Sequence, residues 1–474
     1  MIHSGLFRVR ATTVAPVNLV FKRSVSTDGT LNFSRSFANT TTRTRTLAKS
    51  QGRVIILGSG WAGFKLMRDL NKKDYDVTVV SPRNYFVFTP LLASTSVGTL
   101  EFRCITEPVR GYSKDVDYHQ AWCDKIDLKN QVVHCTSNLD DNKGQTFSLD
   151  YDKLVISVGA YSNTFNTPGV KEYGIFLKDI NDARRIRARV LECFEYAAQP
   201  GVSDVEKASK LHFAVVGGGP TGVEFSAELY DFITEDLSRL YPQLMEHTRM
   251  TVYDVAPQIL GNFDKKLSDF ALQKFNRHGI QVKTGSHVVE VFKNCLRTKE
   301  EGDIRFGMLV WATGLMPNPL VQCLESVAKD ARGQRILTDH QLRVLDKETK
   351  EPLKNVYALG DCATIDDYDL PATAQVANQK AIYLSKNLNK QARNKDTCSK
   401  GFSFENRGSM AYIGSWEAVV DMSPVHQKAK EGGHMAWMFW RSAYLSMSVS
   451  MRNKMLIPMY WLMTWMFGRD ISRF

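Results

Sequence analysis

Two glycine-rich turns constrain what this chain can fold into. Gly58-Ser59-Gly60-Trp61-Ala62-Gly63 follows the apolar run Val54 to Leu57, and Gly217-Gly218-Gly219-Pro220-Thr221-Gly222 follows Phe213 to Val216. Each then opens an amphipathic helical pattern. In a strand–turn–helix of this kind the glycines let the main chain approach a pyrophosphate, while the helix start supplies free N–H donors and the positive end of its dipole. One such motif is as readily a tight turn as a nucleotide site. Two, each in the right context, predict an α/β chain with two Rossmann-like dinucleotide-binding domains.

Two dinucleotides in one chain imply electron transfer between them, and the natural pair is a resident flavin and an exchanging nicotinamide. The strand-like run Leu353 to Ala358 precedes Leu359-Gly360-Asp361, where a carboxylate at a helix start suits a flavin's ribityl chain. Val310-Trp311-Ala312-Thr313-Gly314, and the weaker echo Ile156-Ser157-Val158-Gly159, read as strand-to-loop turns where small residues let a cofactor come close. The strand Met250 to Tyr253 ends at Asp254 with no arginine beside it. A carboxylate there suits the adenosine ribose hydroxyls and repels a 2′-phosphate, so NADH is expected over NADPH. The alternation of strands and helices places a first flavin segment at 51–165, a nicotinamide domain at 166–330, a second flavin segment at 331–400 and a C-terminal region at 401–474.

The 474 residues carry a net charge of +11, unevenly placed. Residues 1–50 hold +7 of it and only one acid, Asp28, in a segment rich in Ser, Thr and Arg. That composition is expected of a cleaved mitochondrial transit peptide, disordered, and it excludes a secretory signal because no apolar core interrupts it. With +4 spread over the remainder, a nucleic-acid binder is not indicated. Eight cysteines are scattered with no CxxC and no metal-ligand spacing, so no metal site is expected, and Cys362 beside Asp361 is the one thiol expected near the flavin. From His434 onward the chain is dense in Trp, Met and Phe, broken by Arg441, Arg452, Lys454, Pro458 and Arg469. These runs fall short of the ~20 apolar residues that a spanning helix needs. They fit helices lying in a membrane interface, with a core helix pair or a dimer interface as the competing reading.

Taken in order, these residues resemble the type II, or alternative, NADH dehydrogenases. The specific marks are Val80-Ser81-Pro82-Arg83-Asn84-Tyr85-Phe86-Val87-Phe88-Thr89-Pro90-Leu91-Leu92, the second fingerprint extended to Val223-Glu224, Ala374-Gln375-Val376-Ala377-Asn378-Gln379, and the basic aromatic C-terminus. The resemblance implies non-covalent FAD, NADH as substrate, hydride transfer from NADH to FAD, and two-electron reduction of ubiquinone without proton pumping. It implies that Gly58, Gly60 and Gly63 hold the FAD pyrophosphate and Asp361 the ribityl chain. Trp61, Ala62, Ser81, Arg83, Thr89, Gly159, Gly314, Gly360 and Val376 fall in the motifs around the cofactors. Gly217, Gly219 and Gly222, with Pro220 and Thr221, would hold NADH. Glu224 would lie near the nicotinamide end, and Gln375 and Gln379 would border the flavin ring where quinone docks. Ser81 stands where an acid often binds the ribose, and Asn378 where some relatives have a ring side chain.

Two other readings share this scaffold. A sulfide:quinone oxidoreductase needs paired cysteines near the flavin, which Cys362 lacks in sequence. An apoptosis-inducing-factor-like flavoprotein would turn NADH over slowly in a mainly binding role. The expected setting is peripheral, on the matrix side of the mitochondrial inner membrane, as a homodimer with no nucleic-acid partner and, without an EF-hand pattern, no calcium control.

Overall fold

In the computed structural model the described residues are 52–394, 400–426 and 429–472. The basic leader read at 1–50 lies outside them. Strand Arg53–Leu57 is buried from Val54 to Leu57 because it is a central strand, paired in parallel with Asp76–Ser81 on one side and Lys153–Ile156 on the other. A strand covered on both faces needs a continuous apolar run, not an alternating one. Val116–Asp127 extends the sheet beyond Asp76–Ser81, and Val132–Ser137 and Thr146–Asp150 continue it as an antiparallel meander. On the far side Pro352–Ala358 pairs in parallel with Lys153–Ile156, so the chain returns to its first sheet after a long excursion.

The excursion is a second sheet, wholly parallel, in the order Ile175–Phe176, Met308–Trp311, His212–Val216, Arg249–Asp254, Gln281–Thr284. The chain leaves the first sheet through Ala160–Ser162 and comes back through Leu315–Pro317, and these two short strands pair antiparallel. A nucleotide domain is thus inserted in another through a two-strand connector. Between connector and inserted sheet, helix Ile180–Ala197 starts at a capping box in which Asp179 and Asp182 each accept from the other end of the first turn.

The C-terminal region departs from the all-helical expectation in two ways. Its first half is a three-stranded antiparallel sheet, Ser409–Gly414, Glu417–Asp421 and Lys430–Gly433, whose alternating pattern was masked by the Trp- and Met-rich stretch after it. Helix His434–Met447 follows, and then Met451–Phe467, which runs through Pro458 instead of stopping there. The reason is tertiary: Asn453, Ile457 and Trp461 form a buried stripe on both sides of the proline, and packing of that stripe outweighs one lost hydrogen bond.

That stripe ties the region to both nucleotide domains. Asn453 Nδ2 donates to the buried Glu107 Oε1 at 2.8 Å and Arg452 to the Thr106 carbonyl at 2.8 Å, both in the first domain. Arg469 pairs with Asp236 at 2.6 Å and Arg187 with Asp470 at 3.0 Å, both on the inserted side. The opposite face is bare: Met435, Met451, Met455, Leu462, Trp465 and Phe467 are each more than half exposed. Among the described residues no helix is long and apolar enough to cross a membrane.

Candidate functional site: two nucleotide cradles joined by an acidic seam

The two fingerprints are built alike, and each glycine has a separate duty. Gly58 and Gly217 take φ of +103° and +118°, where other residues are strained. A Cβ on Gly63 would lie 2.0 Å from the Gly58 carbonyl oxygen, and one on Gly222 would lie 1.9 Å from that of Gly217, so these glycines let helix and turn touch. Only the middle glycines, Gly60 and Gly219, face space: an added Cβ would meet nothing within 4 Å. Both are helix N-caps with no side-chain acceptor, and Pro220 occupies the first helical position of the second. Two helix starts with free N–H donors opening on clear space fit two pyrophosphates.

Around the first cradle the motif residues are organised by one another. Ser81 is buried and its hydroxyl is 2.8 Å from that of Ser59, so the position that often carries a ribose-binding acid is spent on holding the turn. Arg83 Nη1 pairs with Asp179 at 2.8 Å, and the Tyr85 hydroxyl donates to the same carboxylate at 3.0 Å. The Trp61 indole donates to Thr89 Oγ1 at 3.0 Å, fixing the first helix against the loop. Gly159, at φ +69°, again opens on clear space. Gly360 and Val376 pack close by, Gly360 against Ala62. Gly314 abuts the Phe165 ring, where a Cβ would lie 2.6 Å away, so it lets the connector close.

Asp361 sits at the same edge. Burial pushes its carboxyl above the usual range, the Lys178 ammonium offsets part of that, and no hydrogen bond reaches it among the described residues. A half-buried carboxyl still seeking donors fits the hydroxyls of a ribityl chain. Cys362 next to it is inert: its thiol donates to the Ile156 and Leu359 carbonyls, and burial raises it to about 11.

Asp254 ends its strand as expected. Its carboxylate accepts from the Gly218 N–H of the second fingerprint and, at 2.7 Å, from the Ala256 N–H, which aims it at the cradle mouth.

Gln375 and Gln379 do something the sequence did not suggest. Gln375 accepts from Arg407 N at 2.8 Å and donates to the Gly408 carbonyl at 3.3 Å. Gln379 accepts from Glu405 N at 3.0 Å and donates to its carbonyl at 2.8 Å. Both amides therefore lace one helix to the segment 405–408 that leads into the C-terminal sheet. The next residue, Lys380, is buried under the Gly360-Asp361 turn and lowered to about 8 by desolvation. Sequence reading missed it, although its place after Gln379 on an amphipathic helix points inward.

The helix that begins at Pro220 carries the other unforeseen feature. Glu224, Glu228, Asp231 and Glu235 recur at helical spacing and form one stripe along Pro220–Phe232 and the π-helical turn Ile233–Leu237. Glu224 is fully buried, accepts from Tyr412 N and the Trp440 indole at 3.2 Å each, and is pushed up to about 8 by desolvation. Glu228 accepts from Ser94 at 2.6 Å and Thr99 at 2.7 Å. Asp231 accepts from the Tyr412 hydroxyl at 2.5 Å and Ser415 N at 2.9 Å, and burial raises it to about 7. A cavity of about 350 Å³ follows the stripe, lined by Glu228, Asp231, Glu235, Trp440 and Arg441 among others. The Arg441 guanidinium lies 4.3 Å from the ring centroids of both Trp437 and Trp461.

Fold and cradles together define a two-dinucleotide flavoprotein oxidoreductase, and residues 52–381 match the family model described as pyridine nucleotide-disulphide oxidoreductase. Residues 406–470 match a second, the NDH2 C-terminal domain. Among curated proteins the chain is 42% identical to a probable NADH dehydrogenase of Dictyostelium discoideum, covering 89% of this chain and 91% of the relative. It is 39% identical to an internal alternative NAD(P)H-ubiquinone oxidoreductase A1, mitochondrial, of Solanum tuberosum, covering 90% and 89%. A solved structure of NDH2 from Plasmodium falciparum in complex with NADH superposes with a TM-score of 0.82 at 30% identity, covering 89% of this chain and 99% of that one. The chain belongs to the type II NADH dehydrogenases, the alternative NAD(P)H-ubiquinone oxidoreductases.

Proposed function

We propose that this chain is a peripheral NADH:ubiquinone oxidoreductase of the mitochondrial inner membrane. The observation that carries this reading is the pair of uncapped helix starts whose middle glycines open on clear space, in a chain that ends in an NDH2-type C-terminal domain. FAD, when bound, accepts two electrons from NADH and passes them to ubiquinone, moving no charge across the membrane.

The chain's own residues do the rest. Gly58, Gly60 and Gly63 with the first helix start would hold the FAD pyrophosphate, and Asp361 would accept from its ribityl hydroxyls. Gly217, Gly219 and Gly222 hold that of NADH, and Asp254 its ribose. Glu224 sits between the inserted domain and the C-terminal sheet. Raised to about 8, it keeps its proton at neutral pH, which makes it one candidate source of a proton for quinone reduction. Gln375 and Gln379 act as positioning residues, holding segment 405–408 in place. The flavin unit comprises 51–165 and 331–400, the nicotinamide unit 166–330, and 401–474 carries the membrane-facing surface.

The bare Met- and Trp-rich face of the last two helices, next to Arg452 and Lys454, suits the interface of an anionic bilayer, where a long-tailed quinone resides. The basic leader and the mitochondrial relatives support import, and a leader with no stop-transfer run after it favours the matrix face.

FAD-loaded protein should reduce short-chain ubiquinone rapidly with NADH, in a steady-state assay that compares NADPH. Slow NADH oxidation indifferent to quinone would instead support the binding-flavoprotein reading.

A further inference from the structure

Cysteines that are remote in the chain are brought together by the meander at the edge of the first sheet. Val116–Asp127 and Val132–Ser137 run antiparallel, and their register sets Cys123 directly opposite Cys135. Opposed residues on antiparallel strands carry their side chains on the same face with Cα atoms about 4.5 or 5.5 Å apart. A disulfide requires about 4.4–6.8 Å. The backbone spacing of either pair type therefore suits a bond without strand movement. Both cysteines are free thiols, and the Cys123 thiol donates weakly to the Lys125 carbonyl at 3.7 Å, a contact that rotation of its side chain toward Cys135 gives up at little cost. Cys135 is buried and Cys123 half-buried, so a small oxidant reaches Cys123 first.

We propose that Cys123 and Cys135 form an oxidisable dithiol that hydrogen peroxide converts reversibly to a cross-strand disulfide. In the first step Cys123 Sγ gives an electron pair to one peroxide oxygen, the O–O bond breaks, and water leaves with the thiol proton, giving a sulfenic acid. Cys135 Sγ then attacks that sulfur. The S–S bond forms, the S–O bond breaks, and a second water carries off the remaining proton. The two sulfurs lose two electrons and peroxide gains them. The neighbouring Cys135 sulfur and burial push the Cys123 thiol up, which lowers its thiolate fraction and slows the first step. The bond would staple the meander to the strand whose first half pairs with Asp76–Ser81, leaving the cradles untouched.

The test uses the full-length FAD-loaded protein, treated with graded hydrogen peroxide, alkylated under denaturing conditions and mapped by mass spectrometry. The expected result is loss of alkylation at Cys123 and Cys135 together, a linked peptide joining them, reversal by dithiothreitol, and a raised unfolding temperature in the oxidised form. Cys323→Ser removes the one exposed described cysteine and should give the same linked peptide. Cys135→Ser should leave Cys123 as a sulfenic acid that dimedone traps. If Cys123 and Cys135 stay alkylated at doses that oxidise Cys323, or if Cys123 ends as a sulfinic acid with Cys135 still alkylated, the proposal is overturned.

Discussion

Replacing Glu224 by Gln should change how stability depends on pH, and the size of the change follows from burial. The carboxyl is raised from 4.5 to about 8, chiefly by desolvation, with two donated hydrogen bonds opposing. Between those values the folded protein holds a proton that the unfolded chain has released, so stability falls as pH rises. Below 4.5 both states are protonated and the cost vanishes; above about 8 both are ionised and the cost is at its full value. At about 1.4 kcal/mol per pH unit, the window amounts to about 5 kcal/mol. Unfolding entropy near 2 cal/mol/K per residue makes 1 kcal/mol worth roughly 1 °C in a chain of this length, hence a shift of about 5 °C. Glutamine keeps an acceptor for Tyr412 N and the Trp440 indole but cannot ionise. The unfolding temperature of Glu224→Gln, followed by flavin fluorescence from pH 5 to 8, should therefore gain on wild type as pH rises. Parallel curves would refute the assignment of a buried, proton-holding carboxyl.

Four further outcomes are expected. Gly219→Ala should raise the KM for NADH about tenfold, ~1.4 kcal/mol, while leaving the unfolding temperature unchanged, whereas Gly222→Ala should destabilise the fold because its Cβ meets the Gly217 carbonyl at 1.9 Å; equal thermal effects would contradict the separate duties of the two glycines. Asp254→Ser, which removes the carboxylate anchored on Gly218 and Ala256, should lower kcat/KM for NADH ten- to a hundredfold, about 1.5–3 kcal/mol, and raise that for NADPH, as steady-state kinetics would show. Met455→Ser, Met459→Ser and Leu462→Ser combined change only exposed side chains, so the protein should keep its fold and ferricyanide activity but lose liposome binding at least a hundredfold, each side chain contributing about 1.5–3 kcal/mol when inserted. Deletion from His434 should instead cost the flavin, since it strips partners from Glu224, Glu107 and Arg187; a soluble, flavin-loaded truncation would contradict that.

The cradles were legible because each is local: strand, glycines and helix start lie within a few consecutive residues, and so does Asp254 at its strand end. Contacts between distant segments were not. Nothing near Glu224 in sequence announces Tyr412 or Trp440, which reach it from the far end of the chain, yet carboxylates at 224, 228 and 231 in an otherwise apolar helix were a signal that periodicity could have flagged. The family resemblance set Gln375 and Gln379 beside the flavin ring; that their amides bond main-chain groups of 405–408 depends on where that segment crosses. Cys123 and Cys135 pair only once a strand register exists. In the last helices apolar residues occur all round, so composition could not divide the buried stripe of Asn453, Ile457 and Trp461 from the bare one.

The C-terminal region adds a further support between two domains already joined by the paired strands Ala160–Ser162 and Leu315–Pro317 and by the contacts of Arg83 with Asp179 and of Ser94 and Thr99 with Glu228. Two strands alone would make a hinge, and relative motion is the usual expectation for domains so joined. With Asn453 fastened to Glu107 on one side and Arg469 to Asp236 on the other, the hinge is bridged across its open end. A clamshell opening of the two domains would have to break those ties first. The separation between the two cradles is set by the protein before either ligand arrives.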